Sequence, residues 1–89
     1  MASYAIVRHK VRNFSEWKPA FDAHVPTSAA AGLTMTHLLR GADDPNEVII
    51  IFAAADLDRA KAFAASDDLK EAMQKAGVVD QPDIYFLTD

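Results

Sequence analysis

The 89-residue sequence contains no cysteine, which excludes disulfide bonds, thiolate metal sites and a cysteine nucleophile. Basic residues are few, because 9 Lys and Arg stand against 13 Asp and Glu for a net charge of −4. An acidic chain lacks the basic surface that binds nucleic acid or anionic lipid. Apolar runs fall short of the ~20 residues of a membrane span, and the start carries no charged leader. We therefore expect a cytoplasmic protein without nucleic-acid or membrane partners.

What the sequence does contain is apolar surface, since 51% of its residues are hydrophobic and 25% are charged. This balance is typical of a globular protein. The length fits a single domain over residues 1–89. Chains of this size without disulfides or metal ions often gain stability by associating.

Hydrophobic periodicity and turn signals predict the order β-α-β-β-α-β, with the second helix broken in two. The expected strands cover residues 4–11, 33–40, 47–53 and 83–87. Ser15, Asp56 and Ser66 are the expected N-caps, and Pro26 is expected to kink or restart the first helix. This order is the ferredoxin-like arrangement of the α+β class, an antiparallel four-stranded sheet with both helices on one face.

Two of the predicted strands are apolar on both faces, although a sheet covered on one side should alternate apolar and polar residues. In the third strand Ile49 and Ile51 oppose the apolar residues of the other face. In the fourth strand Tyr85 and Leu87 do the same. The face that the helices leave bare therefore needs an apolar cover, and a second copy of the chain provides one. We expect a homodimer packed sheet to sheet.

Several segments resemble the dimeric α+β-barrel superfamily, and in particular its small bacterial members related to antibiotic-biosynthesis monooxygenases and cyclase-like proteins. These segments are FSEWK (14–18), RGADDPNEV (40–48), DLDRAKAF (56–63), LKEAM (69–73), AGV (76–78) and PDI (82–84). The resemblance spans nearly the whole chain. It implies a homodimer whose two sheets form a barrel, with a ligand cavity enclosed by each protomer. It does not fix a reaction, because the superfamily hosts several.

The three histidines are the side chains that titrate near neutral pH, so acid–base chemistry points to them. His24 shares a helical stripe with aromatic residues and is either a general base in a pocket or a histidine satisfied at the helix margin. His37 shares a predicted strand face with Leu33, Met35 and Leu39. It either lines a cavity, as a second candidate base, or forms hydrogen bonds across the sheet or dimer interface. His9 carries the same two interpretations.

Aromatic and hydroxyl side chains supply the remaining candidates for a small-molecule pocket. Trp17, Phe21, His24 and Ser28 are spaced i, i+4, i+7 and i+11, which places them on one face of a helix. Trp17 and Tyr85 each carry a polar atom that needs a partner when buried. We therefore expect these side chains and His9 to contact a substrate, with Phe21 also open to a purely core role.

Motifs for other chemistries are missing. The histidines lack the spacing of a metal site, the serines do not form a nucleophile elbow, and the three glycines do not form a phosphate-binding loop. Neither a flavin nor a nicotinamide motif is present, so we expect no cofactor and no metal.

The first functional hypothesis is a cofactor-independent monooxygenase or cyclase-like enzyme acting on a small aromatic or enolisable metabolite. His24 or His37 would ionise the substrate, while Trp17, Ser28 and Tyr85 would position the anion. The alternative is a non-catalytic dimeric module that binds a small apolar molecule. A purely structural dimer is the third hypothesis.

Overall fold

The computed structural model describes residues 2–89. Its elements are, in chain order, β1 (Ser3–Lys10), α1 (Phe14–Ala30), β2 (Leu33–Arg40), β3 (Glu47–Ala54), α2 (Leu57–Ala64), α3 (Asp67–Ala76) and β4 (Asp83–Thr88). This confirms the ferredoxin-like α+β prediction, including the break in the second helical segment. Within the described range, none of the helices has the length and apolar character needed to cross a membrane.

The four strands form one antiparallel sheet in the order β2-β3-β1-β4. The β2–β3 hairpin closes through residues 41–46, as the turn signal predicted. Asp44 Oδ1 accepts a hydrogen bond from Asn46 N at 3.0 Å, which is the way Asp favours a turn. A Cβ atom on Gly41 would lie 2.8 Å from the Asp44 carbonyl oxygen, so a side chain there would force the turn to move.

Helix α1 begins at a different cap from the one predicted. Asn13 is the N-cap, and its Oδ1 accepts from Ser15 N at 2.9 Å and from Glu16 N at 3.3 Å. The prediction of Ser15 is therefore wrong by two residues. Asn is as favoured an N-cap as Ser, and a tertiary contact reinforces this start, because Asn46 Oδ1 accepts from Phe14 N at 3.2 Å and satisfies another free donor of the helix.

The other helix boundaries follow the sequence signals. Asp56 caps α2 and Ser66 caps α3, each through its side-chain oxygen. Gly32 and Gly77 follow α1 and α3 with φ of 83° and 89°, a conformation that favours glycine. Pro26 was expected either to kink α1 or to make it restart. Helix α1 is continuous over Phe14–Ala30, so it does not restart.

The sheet has two distinct faces, which we call the covered face and the open face. The covered face lies under the helices and includes the buried residues Val48, Ile50 and Phe52 of β3. The open face carries Tyr4, Ile6 and Arg8 of β1, Thr34, His37 and Leu39 of β2, Ile49 and Ile51 of β3, and Tyr85 and Leu87 of β4.

A β-bulge in β2 overturns one prediction about these faces. Met35 is opposite Phe52, whereas His37 is opposite the next residue, Ile51, so Thr36 is the extra residue. The Thr36 hydroxyl donates to the Ile51 carbonyl oxygen at 3.1 Å. Because one inserted residue reverses the alternation, His37 and Leu39 lie on the open face and not with Leu33 and Met35. The prediction of one shared face is wrong.

The buried core lies between the covered face and the helices. Val48 and Ala60 are fully buried, and Trp17 and Ile50 are each 3% exposed. Helix α1 packs against α3 and β2, while α2 packs against β1 and β4. Every residue of α3 remains at least partly exposed. The helix layer therefore fits the sheet less tightly at α3 than at α2.

Candidate functional site

A cavity of about 80 Å³ lies between the helices and the covered face of the sheet. The α1 stripe forms one wall, with Trp17, Phe21, His24 and Ser28 all lining the space. These residues share a helix face because they recur at i, i+4, i+7 and i+11. The sheet supplies the floor, and His9 of β1 reaches the cavity from there.

Small side chains explain why the space is left unfilled. Ala60 and Ala64 of α2 and Ala72 and Ala76 of α3 all face the cavity. A methyl group cannot reach across the gap that a leucine or phenylalanine would fill, so the lining atoms lose contacts and a void remains. The cavity is thus a consequence of alanine at helical spacing.

Aromatic contacts fix the orientation of the two histidine rings in this cavity. His9 packs edge-on against Trp17 with ring centroids 5.6 Å apart, and Trp17 stacks on Phe21 at 4.8 Å. His24 stacks on Phe63 of α2 at 5.9 Å. Each histidine ring therefore packs against one aromatic ring, which restricts the directions in which its nitrogen atoms point.

Each of these histidines has a buried ring nitrogen that lacks a hydrogen-bond partner among residues 2–89. The atoms are Nδ1 of His9 and Nε2 of His24. A buried polar atom without a partner costs free energy, on the order of 1–3 kcal/mol. His9 is only 3% exposed, so its nitrogen cannot turn to bulk water. A ligand with hydrogen-bonding groups would satisfy both atoms.

Burial also sets the protonation state of His9. Desolvation lowers the pKa of His9 below its usual value of 6.5, and the nearby positive charge of Arg8 lowers it further. The carboxylate of Asp80 acts in the opposite direction, but burial is the larger influence. His9 is therefore a neutral imidazole at neutral pH and can accept a proton or a hydrogen bond.

The structure does not bring His37 and Tyr85 to this cavity. Both lie on the open face, where Tyr85 is 56% exposed. The Nδ1 atom of His37 lies 3.2 Å from Thr36 Oγ1, its neighbour at the bulge. Of the seven residues proposed from the sequence, the cavity collects the other five, His9, Trp17, Phe21, His24 and Ser28. The functional roles assigned to all seven stay predictions.

The two arginines of the sheet, Arg8 of β1 and Arg40 of β2, are held by contacts with other side chains. Arg8 pairs with Glu47 at 3.0 Å, with Asp80 at 3.2 Å and with Asp83 at 3.4 Å. The Arg40 guanidinium lies 3.8 Å from the centroid of the Phe14 ring.

Over residues 2–89, no group of three or more histidine and acidic side chains is placed so that it could hold a metal ion.

The cavity residues of α3 were not predicted from the sequence. A signal was available, because Leu69, Ala72, Met73 and Ala76 recur at i, i+3, i+4 and i+7 and so share one helix face. These four residues line the cavity. Alanine gives no chemical hint of a site, and the pattern is equally typical of an ordinary helix facing a core.

Comparison with protein families gives one match. Residues 4–84 match the model of a family described as a domain of unknown function (DUF3764). A search of curated proteins found no match to the sequence.

Solved structures share the fold over nearly the whole chain. A Bordetella bronchiseptica protein grouped by name with the antibiotic biosynthesis monooxygenases has a TM-score of 0.78 and 16% identity, over 99% of this chain and 96% of its own. SnoaB from Streptomyces nogalater, described as a cofactor-independent oxygenase, has a TM-score of 0.75 and 18% identity, over 99% and 92%. Rv0793 from Mycobacterium tuberculosis has a TM-score of 0.71 and 15% identity, over 100% and 95%. At these identities the likeness is one of fold.

Proposed function

The chain belongs to the DUF3764 family, and we propose that it is a cofactor-independent monooxygenase acting on a small hydroxylated aromatic or enolisable metabolite. The observation that carries the proposal is the apolar cavity with two unpaired imidazole nitrogens, on His9 and His24. The shared fold with a protein described as a cofactor-independent oxygenase supports the same reaction class.

The chemistry requires a base and a dry pocket. A neutral imidazole takes the proton of a phenol or enol, and the anion places electron density on a ring or enol carbon. Dioxygen reacts at that carbon. In overall terms a phenol and dioxygen give a quinone and water, because one oxygen atom becomes the new carbonyl and the other leaves with the phenolic and ring hydrogens.

The two histidines suit different parts of this reaction. Burial holds His9 in its neutral form, so it suits hydrogen bonding to the substrate more than carrying a full positive charge. His24 is only partly buried, and solvent nearby eases the charge that a base acquires. We assign proton transfer to His24 and substrate positioning to His9, Trp17 and Ser28.

Oxygen uptake tests the proposal. Purified protein is incubated at neutral pH with a panel of hydroxylated aromatics, and uptake is compared with that of His9→Phe, His24→Phe and His37→Phe variants. We expect uptake in the wild type and a loss on the order of 10²–10⁴-fold in the His24 variant, the usual contribution of a general base. His37 lies outside the cavity, so its variant should retain uptake.

Two results would count against this assignment. The absence of uptake with every compound that binds would favour a non-catalytic binding module. A loss confined to the His37 variant would move the chemistry to the open face. Because the aromatic ring of Phe preserves the stacking of each imidazole, a loss in a cavity variant reports the missing nitrogen more than a changed shape.

We also propose that two copies of the chain pack open face to open face. The support is the exposed apolar side chains gathered there, with Tyr85 56%, Leu39 47% and Leu87 42% exposed. Contiguous apolar surface of this kind marks an interaction site in a small protein. Sedimentation at micromolar concentration should give twice the chain mass of 9.7 kDa. A mass equal to one chain would contradict the dimer.

A further inference from the structure

The cavity limits the size of its ligand. Its volume is about 80 Å³, whereas an engineered protein cavity that binds benzene measures ~150 Å³. The wall on the α3 side yields most easily, because Met73 is flexible and each residue of α3 is partly exposed. A shift there makes room for one ring. A fused multi-ring molecule would require a larger displacement of the helices from the sheet.

The cavity also selects the charge of its ligand. Of the lining side chains that the structure describes, none is a lysine, arginine, aspartate or glutamate. The polar groups are those of His9, His24, Ser28 and Trp17, set among apolar residues. A carboxylate or phosphate would be buried without a lysine or arginine to pair with, and would have to bring a proton for a histidine with it, which is unfavourable. An uncharged molecule meets no such penalty.

The two unpaired nitrogens belong to histidines that pack on different aromatic rings of the cavity lining. His9 packs on Trp17, which is seven residues before His24 on α1, a rise of about 10 Å along the helix axis. His24 packs on Phe63 of α2. A ring with two hydroxyls para to each other, with a hydrogen bond of about 2.8 Å at each end, has a length of the same order as this separation of Trp17 and His24 along α1.

We infer that this cavity takes an uncharged single-ring ligand with hydrogen-bonding groups at two opposite edges, one for His9 and one for His24. This inference rests on the proposed function for the location of the site, and it adds the ligand class. A para-dihydroxybenzene is the simplest molecule of that class. The ligand reaches both histidines at once, so recognition depends on its second hydroxyl.

Binding without turnover tests the inference. Trp17 is the single tryptophan of the chain and lines the cavity, so its fluorescence reports occupancy. Anaerobic titrations use 1,4-dihydroxybenzene, phenol, benzoate and 1,4-dihydroxynaphthalene. We expect 1,4-dihydroxybenzene to bind about tenfold more tightly than phenol, the effect of one added hydrogen bond. Benzoate should bind at least ~100-fold more weakly than phenol, and the two-ring diol more weakly than the one-ring diol.

Variants assign the two hydrogen bonds. In His9→Phe and in His24→Phe, the preference for 1,4-dihydroxybenzene over phenol should fall from about tenfold to about onefold. Phenol binding within the same variant serves as the control for a folded cavity. If a variant fails to fold, the wild-type affinities for the four compounds still test the ligand class.

Three results with the wild-type protein each overturn the inference: equal affinity for phenol and 1,4-dihydroxybenzene, benzoate bound as tightly as phenol, and tighter binding of the two-ring diol than of the one-ring diol. Equal loss of phenol and diol affinity in the variants also overturns it, because that result indicates a structural role. Oxygen uptake separates this inference from the proposed function. If single-ring diols bind as expected but no oxygen is consumed, the oxygenase proposal fails and the ligand class stands. If oxygen is consumed only with multi-ring substrates, the ligand class fails and the oxygenase proposal stands.

Discussion

The two faces of the sheet carry similar side chains in very different surroundings. On the covered face Ile50 is 3% exposed beneath the helices, whereas Ile51, the next residue, points to the open face. The histidines divide in the same way, with His9 buried on the covered side and His37 exposed on the open side. The residue types of the two faces therefore show that both are apolar, but they do not show what each face does. What covers a face decides whether it serves as core, cavity or contact surface.

The largest expected effect comes from truncating the covered face. Ile50→Ala should lower the free energy of unfolding by about 2–5 kcal/mol, because it removes buried methyl groups and leaves a cavity. Urea denaturation followed by circular dichroism measures the change. This loss should be independent of protein concentration.

Ile51→Ala is the matched control on the open face. Its effect should depend on protein concentration, because its burial depends on the second copy of the chain. Equal and concentration-independent losses for the two variants would show that the open face is not an interface.

A charged residue introduced on the open face tests whether that face is a dimer interface. Leu87→Asp should weaken dimerisation by ~100-fold or more, because a carboxylate would be buried without a partner in the proposed interface. Sedimentation over a concentration series measures the shift. Val79→Asp is the control, because Val79 is 60% exposed and lies outside the strands. An equal shift for both variants would indicate a general charge effect.

The pH dependence of stability tests the burial of His9. Because the pKa of His9 is lowered by folding, the unfolded chain binds a proton below about pH 6.5 that the folded chain does not. The free energy of unfolding should therefore decrease as the pH falls through this range, by up to about 1.4 kcal/mol per pH unit for this group. Thermal unfolding at several pH values measures the slope.

The variant His9→Phe should flatten this part of the pH profile while leaving the carboxylate contributions at lower pH in place. An unchanged slope between pH 6.5 and 5 would mean that another group controls stability there.

The smallest expected effect concerns the bulge that assigns β2 residues to their faces. Thr36→Val removes the hydroxyl that donates to the Ile51 carbonyl oxygen, and should cost about 1 kcal/mol. Thr34→Val, on the same strand before the bulge, is the control and should cost less. Chemical shifts of the His37 ring would show whether the register survives. A larger loss for Thr34 would contradict the role given to the hydroxyl of Thr36.

Much of the fold could be predicted from the sequence because its signals are local. β-Branched runs gave the strands, Asp56 and Ser66 gave two caps, and Gly32 and Gly77 gave two helix ends. The helical spacing of the α1 stripe also predicted which residues meet in the cavity. Each of these depends on neighbours within a few positions in the chain.

The features that could not be predicted depend on distant contacts. The period-two pattern runs unbroken through Met35 and His37, so nothing local marks Thr36 as the inserted residue. Asn13 and Ser15 are both favoured N-cap types, and the start at Asn13 is reinforced by Asn46, 32 positions beyond Phe14. The alternation of β4 already placed Tyr85 on the bare face with Leu87, but no local pattern shows on which side of the sheet the cavity lies, so its assignment as a cavity residue failed.

The place of β1 in the sheet also constrains how the chain folds. β1 pairs on one side with β3 and on the other with β4, where Ser3 meets Thr88. Closing a loop that spans almost the whole chain is entropically expensive and slows folding. The β2–β3 hairpin can form early because its turn is short, whereas β1 completes its pairing only when β4 is added. Until β4 pairs, the edge of β1 that it covers carries unpaired backbone N–H and C=O groups, which can pair with a strand of another chain.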